Sequence, residues 1–311
     1  MLNSSFKILY NRFSLVWILA VYMLSVLIIC GLLSLIFVLP LLSAFRDAGI
    51  LYEVSGIFTS VFTYGETVTI FTNLQRVWQN GLSVVLGDRG LAARTFIILA
   101  IVVILFRFFM GLYEIAISSV LDGAMSANSR LKFIHRLIAS LRFASIYAIT
   151  KTAITVVFDA IHFIVIYYMT SLFFIESTRA VAPFLIGLVA VLFLTVRYSF
   201  LALWVPTTLE TKKTIKALGI ALKKSSTNFA KIFFSFFAMW LFVGAMIGFF
   251  TIFTFGIGLV LITPIIMLLF SILGMTCHYN IEGKRYYAND KTITPRSLAK
   301  QNIDEDEELH T

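Results

Sequence analysis

Six apolar runs of roughly 20 residues each, the length that carries a helix across the hydrocarbon of a bilayer, divide this chain and fix its solvent. They fall at about residues 13–42, 95–113, 152–174, 181–205, 232–255 and 259–277. Lipid offers no partner to a bare peptide group, so each run must close its own hydrogen bonds as a helix. The fold class expected is therefore all-α: a polytopic membrane bundle of six transmembrane helices, with amphipathic interfacial helices between them. Composition agrees, because 59% hydrophobic and 13% charged residues over 311 positions would leave a water-soluble domain covered in apolar patches. The first run is far longer than the apolar region of a signal peptide and reads as a retained span.

The formal net charge of +9 could point to nucleic acid, but the basic residues lie in segments bounded by apolar runs, where membrane electrostatics explains them better. No nucleic-acid partner is expected. With both termini placed inside, 18 basic residues fall on the inner side and five on the outer, which sets both ends in the cytoplasm.

The most distinctive of the inner segments is residues 204–233, WVPTTLETKKTIKALGIALKKSSTNFAKIFF. Thr207 and Glu210, three apart after Pro206, have the spacing of a capping box, which predicts a helix starting there. On that helix Ile215, Leu218, Leu222 and Phe229 share one side, and Lys212, Lys213, Lys216, Lys223 and Lys224 share the other, with Ile220 among the lysines. Such a helix lies in the interface with its lysines toward anionic headgroups; the plainer reading is that the lysines only mark the cytoplasmic side. A second segment has the same pattern: Leu131, Ile134, Leu137, Ile138 and Leu141 on one face, and Lys132, Arg136 and Arg142 largely opposite, with Arg130 just before it. The two segments sit about 80 residues apart, a spacing that suggests a duplication with no motif repeating in register.

The outer connection, residues 43–94, carries no net charge. Within it, Ile70, Phe71, Leu74, Val77, Trp78, Val84 and Val85 recur at helical spacing and predict a helix over 69–86, either a packing element or a lid. Gly244 and Gly248, four apart in the fifth run, have the spacing that permits close helix approach. Residues 278–311 read as a cytoplasmic tail, whose acidic end, 304–308, has the character of a solvated, disordered terminus.

Four ionisable groups lie inside spans. Arg107, Asp159 and Arg197 each fall seven or eight residues from the inner end of a different span, roughly 10–13 Å deep at 1.5 Å per residue. His162 follows Asp159 by three residues on the same face. Unpaired charge at that depth is costly, so the expectation is that Asp159 bridges the two arginines. The cluster is either an ion triad that fixes helix register or a polar site for an anion or a proton; snorkelling arginines would make the shared depth a coincidence.

No phosphate-binding loop, HExxH, GxSxG elbow or zinc spacing occurs, and the two cysteines, Cys30 and Cys277, stand far apart. Neither an enzyme nor a cofactor is expected. Trp204, Pro206, Leu209, Glu210, Ala217, Leu218, Ala221, Leu222, Ser225 and Phe229 follow a pattern in which a span ends in proline, a Leu-Glu-like pair follows, and a lysine-rich helix precedes a phenylalanine-rich span. Over about residues 197–290 the chain resembles a loose group of bacterial integral membrane proteins related to the membrane domain attached to some glycerophosphodiester phosphodiesterases. The resemblance implies a six-helix bundle in a bacterial cytoplasmic membrane; the phosphodiesterase domain is absent, so its activity does not carry over. The function expected is a non-catalytic membrane protein, lipid-handling or an accessory subunit, whose partners are anionic lipid, another membrane protein or a second copy of itself. The alternative is a transporter or permease subunit built on Arg107, Asp159, His162 and Arg197.

Overall fold

The computed structural model describes residues 1–64, 67–129, 131–170, 172, 178, 181–254, 256, 258–288, 293 and 294. The expectations for Arg130 and for the acidic stretch 304–308 lie outside them. Among the described residues there are eleven helices and one two-stranded ribbon, in the order α1 (Leu2–Asn11), α2 (Ser14–Asp47), α3 (Ile50–Tyr64), α4 (Thr67–Gly87), α5 (Arg89–Ala127), α6 (Phe133–Met169), α7 (Ala182–Leu201), α8 (Trp204–Thr211), α9 (Thr214–Thr227), α10 (Phe229–Thr254), α11 (Gly258–Ile281), β1 (Tyr286–Tyr287) and β2 (Ile293–Thr294). Six helical segments are long and apolar enough to cross a membrane: Ser14–Leu35, Arg89–Ala127, Phe133–Met169, Ala182–Thr211, Phe229–Thr251 and Gly258–Ile281. The protein is all-α and has the character of a multi-pass membrane protein.

The chain forms two compact units, residues 24–107 and residues 1–23 with 108–311. In the smaller unit, α3 and α4 lie against each other, and Asn80 Nδ2 donates to both carboxylate oxygens of Glu53, at 3.2 Å each. The helix predicted over 69–86 is α4; Val85 is buried and Val77 and Val84 are half-buried, while Leu74 and Trp78 are exposed, and the side chains of Ile70 and Phe71 lie outside the description. The sequence did not single out α3, whose β-branched and aromatic residues around Gly56 give no clean period of 3.6. Gly49 makes the turn before it at φ 73°, a left-handed conformation open to glycine.

The larger unit is organised on α11. Leu268, Ile272 and Met275 pack with Leu19, Tyr113, Ile117 and Leu121, while Leu269, Leu273 and Cys277 pack with Ile115, Tyr147, Trp204 and Phe236. The amphipathic α1 lies against α11, and the Ser5 and Thr276 hydroxyls meet at 3.0 Å. The close helix approach does not occur at Gly244 and Gly248, where an added Cβ would meet nothing within 4 Å. It occurs where α5 crosses α6: a Cβ on Gly111 would stand 2.6 Å from that of Ala148. Only glycine leaves room for the two backbones at that distance.

Three boundaries differ from the sequence reading. The second and third spans continue beyond 113 and begin before 152, so α5 runs to Ala127 and α6 starts at Phe133; the basic segment around Arg136 is the first part of α6 rather than a separate helix. The helix expected from Thr207 begins instead at Trp204 and stops at Lys212, whose φ of 52° is left-handed, and α9 restarts at Thr214. Thr207 is thus inside α8 with its hydroxyl unbonded, and Glu210 is drawn away to His278 and Lys284. Beyond 277 the helix continues: α11 ends at Ile281, and β1 pairs antiparallel with β2, Tyr286 opposite Thr294. Tyr286 is buried against Tyr279, which withdraws it from water.

Candidate functional site

The Gly111–Ala148 crossing places charge inside the larger unit. One turn beyond Gly111, Glu114 forms an ion pair with Lys151 Nζ through both carboxylate oxygens, and its Oε2 also accepts from the Tyr147 hydroxyl at 2.7 Å. The Lys151 ammonium sits 5.7 Å from the centroid of the Tyr147 ring. Trp204 meets Tyr147 edge-on at 4.7 Å and donates its indole N–H to the Thr214 carbonyl at 3.0 Å, so the buried ring is satisfied at both ends.

A cavity of about 180 Å³ opens beside these groups, walled by α5, α6, α7, α8, α10 and α11. It is large beside the roughly 10–15 Å³ that one water needs. Its charged groups are Glu114, Lys151 and Arg197, the hydroxyls of Tyr113, Ser118, Tyr147, Tyr198 and Ser271 also line it, and Phe236 and Phe270 supply aromatic surface. Lining residues on α11 run from Ile266 to Met275, a length of about 13 Å at 1.5 Å per residue. Tyr198, Phe236, Trp240 and Phe270 form one aromatic group behind the wall, with Trp240 only 4.6 Å from Phe270.

Of the four intramembrane residues expected to cluster, the larger unit brings two into contact and places a third one turn along α6. Arg197 Nη1 pairs with Asp159 Oδ1, and one turn away the His162 ring stacks on Phe193 at 5.0 Å, with its Nε2 buried and unbonded. Arg107 is the terminal residue of the smaller unit, so the geometry of the larger one bears on the Asp159–Arg197 pair. The sequence reading missed Glu114 and Lys151 as site residues because it ended two spans at them. The missed signal was the apolar sequence that continues past each, Ile115 to Ile117 and Ile146 to Ala148.

Among the expected lipid-contact residues, Lys132, Arg142, Lys212, Lys213, Lys216 and Lys223 are exposed, and Arg136 is half-buried. Lys224 is paired with Glu282, which ties the end of α9 to the chain after α11. Burial pushes the Glu282 carboxyl up, but the hydrogen bond and charge of Lys224 outweigh it and hold the group below its ordinary value. The face of α9 turned to the bundle is one of small residues, Thr214, Ala217, Ala221 and Ser225, set against α6, α7, α8 and α10. Ile215, 71% exposed, and Leu222 are left outside among the lysines, the reverse of an apolar face seated on protein. No protein-family model, curated protein or solved structure matches this chain.

Proposed function

We propose that this is a non-catalytic, lipid-handling or accessory protein of a bacterial cytoplasmic membrane, with both termini in the cytoplasm and α9 resting on the anionic inner leaflet. The observation that carries the reading is the outward face of α9. Small side chains seat the helix on the bundle, and the groups left over are apolar Ile215 and Leu222 flanked by Lys212, Lys213, Lys216 and Lys223. Apolar residues entering the acyl boundary beneath a layer of lysines are the chemistry of an interfacial helix. The resemblance to the membrane domains attached to glycerophosphodiester phosphodiesterases supports the bacterial cytoplasmic membrane as the setting and assigns no activity.

Each lysine near an anionic surface is worth roughly 1 kcal/mol, and the screening length shrinks from about 10 Å at 0.1 M salt to 3 Å at 1 M. Native mass spectrometry of the purified protein should therefore find phosphatidylglycerol retained over phosphatidylcholine at low salt, with the preference lost at high salt and in the variant with Lys212, Lys213, Lys216 and Lys223 all changed to Gln. Equal retention of the two lipids at low salt would refute the reading. One observation favours a second reading, a transporter or permease subunit: Arg197, paired with Asp159, lines a cavity walled by helices apolar enough to span a membrane.

A further inference from the structure

We propose that the cavity beside Glu114 and Arg197 is a binding site for a single-chain amphiphile whose head is an oxyacid, a carboxylate or a phosphate monoester. The inference rests on the lipid-handling reading and gives it a ligand class, at a site separate from the outer face of α9.

The argument begins with donors that lack acceptors. Glu114 is saturated by Lys151 and Tyr147, so it does not call for a ligand. Arg197 differs. Its guanidinium spends Nη1 on Asp159, and its remaining N–H groups make no hydrogen bond among the described residues, although the side chain is only 16% exposed and lines the cavity. The neighbouring Tyr198 hydroxyl, on the same wall, is likewise without a partner among the described residues. A planar fork of donors beside a phenol, in a largely apolar chamber, matches the geometry of an oxyacid, whose oxygens accept from several N–H groups at once.

The rest of the chamber sets the tail. Along Phe236, Ile266, Met267 and Phe270 the chamber offers rings and flexible thioether carbon; of the further hydroxyls in its lining, those of Tyr113 and Ser271 meet each other at 3.4 Å and that of Tyr147 is spent on Glu114, which leaves Ser118. A ligand that filled the chamber with polar atoms would strand them, whereas a hydrocarbon chain would not. Charge at one end and an unbranched apolar stretch at the other describe a fatty acid or an alkyl phosphate.

The test uses Trp240, whose ring stands 4.6 Å behind Phe270 of the cavity wall. The full-length protein in neutral phosphatidylcholine nanodiscs is titrated with a medium-chain fatty acid brominated at its terminal carbon, with the alkyl phosphate of the same chain, and with the corresponding alcohol. Bromine quenches indole fluorescence at short range, so a bromine in the cavity reaches Trp240 across the Phe270 ring. Saturable quenching by one or both acids, its disappearance in Trp240→Phe, and only linear, non-saturating quenching by the alcohol are expected. Which acid saturates tells a carboxylate source from a phosphate one. Arg197→Gln should weaken the acid by about tenfold, the scale of one charged contact. Ala202→Leu, which adds bulk to the cavity wall and removes no charge, should abolish saturation and keeps the test open should Arg197→Gln fail to fold. Saturation by the alcohol equal to that by the acids, or no saturable quenching by any probe, overturns the proposal. Lys216→Gln should leave the quenching unchanged, so failure of the α9 lipid surface and failure of the cavity site are read separately.

Discussion

At the scale of single residues, the paired charges decide what the interior tolerates. Removing one partner of a buried pair leaves the other uncompensated, at about 3–5 kcal/mol, and Asp159 is 30% exposed, so Asp159→Asn should fall near the low end of that range. Thermal unfolding in detergent measures it. A drop of that size marks a pair that holds helix register, whereas a well-folded variant with altered uptake or ligand response would support the transporter reading. Asp159 and Arg197 were legible in the sequence because a charge among Val, Phe and Ile is conspicuous. Glu114 and Lys151 were not, since a charge near the expected end of a span looks like a boundary. What moves them inside is the length of α5 and α6, and a hydropathy pattern fixes the ends of an element less well than its existence.

Among the elements, α9 carries the sharpest contrast between pattern and packing. Its apolar stripe was legible as a period near 3.6, but which stripe faces the protein was not, because Ala217 and Ala221 compete with Ile215 and Leu222 on grounds of fit rather than hydrophobicity. The break at Lys212 was also hidden, since a lysine is a rare occupant of a left-handed position and only the pull of His278 and Lys284 on Glu210 accompanies it. The other end of α9 makes a pH-dependent bond. Glu282 has its carboxyl pKa depressed in the folded state, so its contribution to stability is complete above the ordinary carboxylate value and is lost as pH falls through the lowered one. Amide exchange at residues 220–227 should therefore quicken in acid relative to neutral pH, beyond the chemical pH dependence of exchange itself. Lys224→Gln should remove that excess; an excess of equal size in the variant would show that another group is responsible.

For the molecule as a whole, six spanning helices were legible because the requirement that produces them, internal satisfaction of every peptide group in lipid, acts on the entire sequence at once. Their sidedness is testable because both native cysteines are buried and will not compete for a reagent. In intact cells a membrane-impermeant maleimide should label Arg89→Cys directly and Lys216→Cys only after permeabilisation; the opposite result would invert the topology. The contact of α1 with α11, sealed by Ser5 and Thr276, joins segments some 270 positions apart. During synthesis α1 is made before α10 and α11, the helices against which it rests. Whatever escorts the nascent chain into the bilayer must therefore shelter a short, half-apolar helix while the spans between them are made.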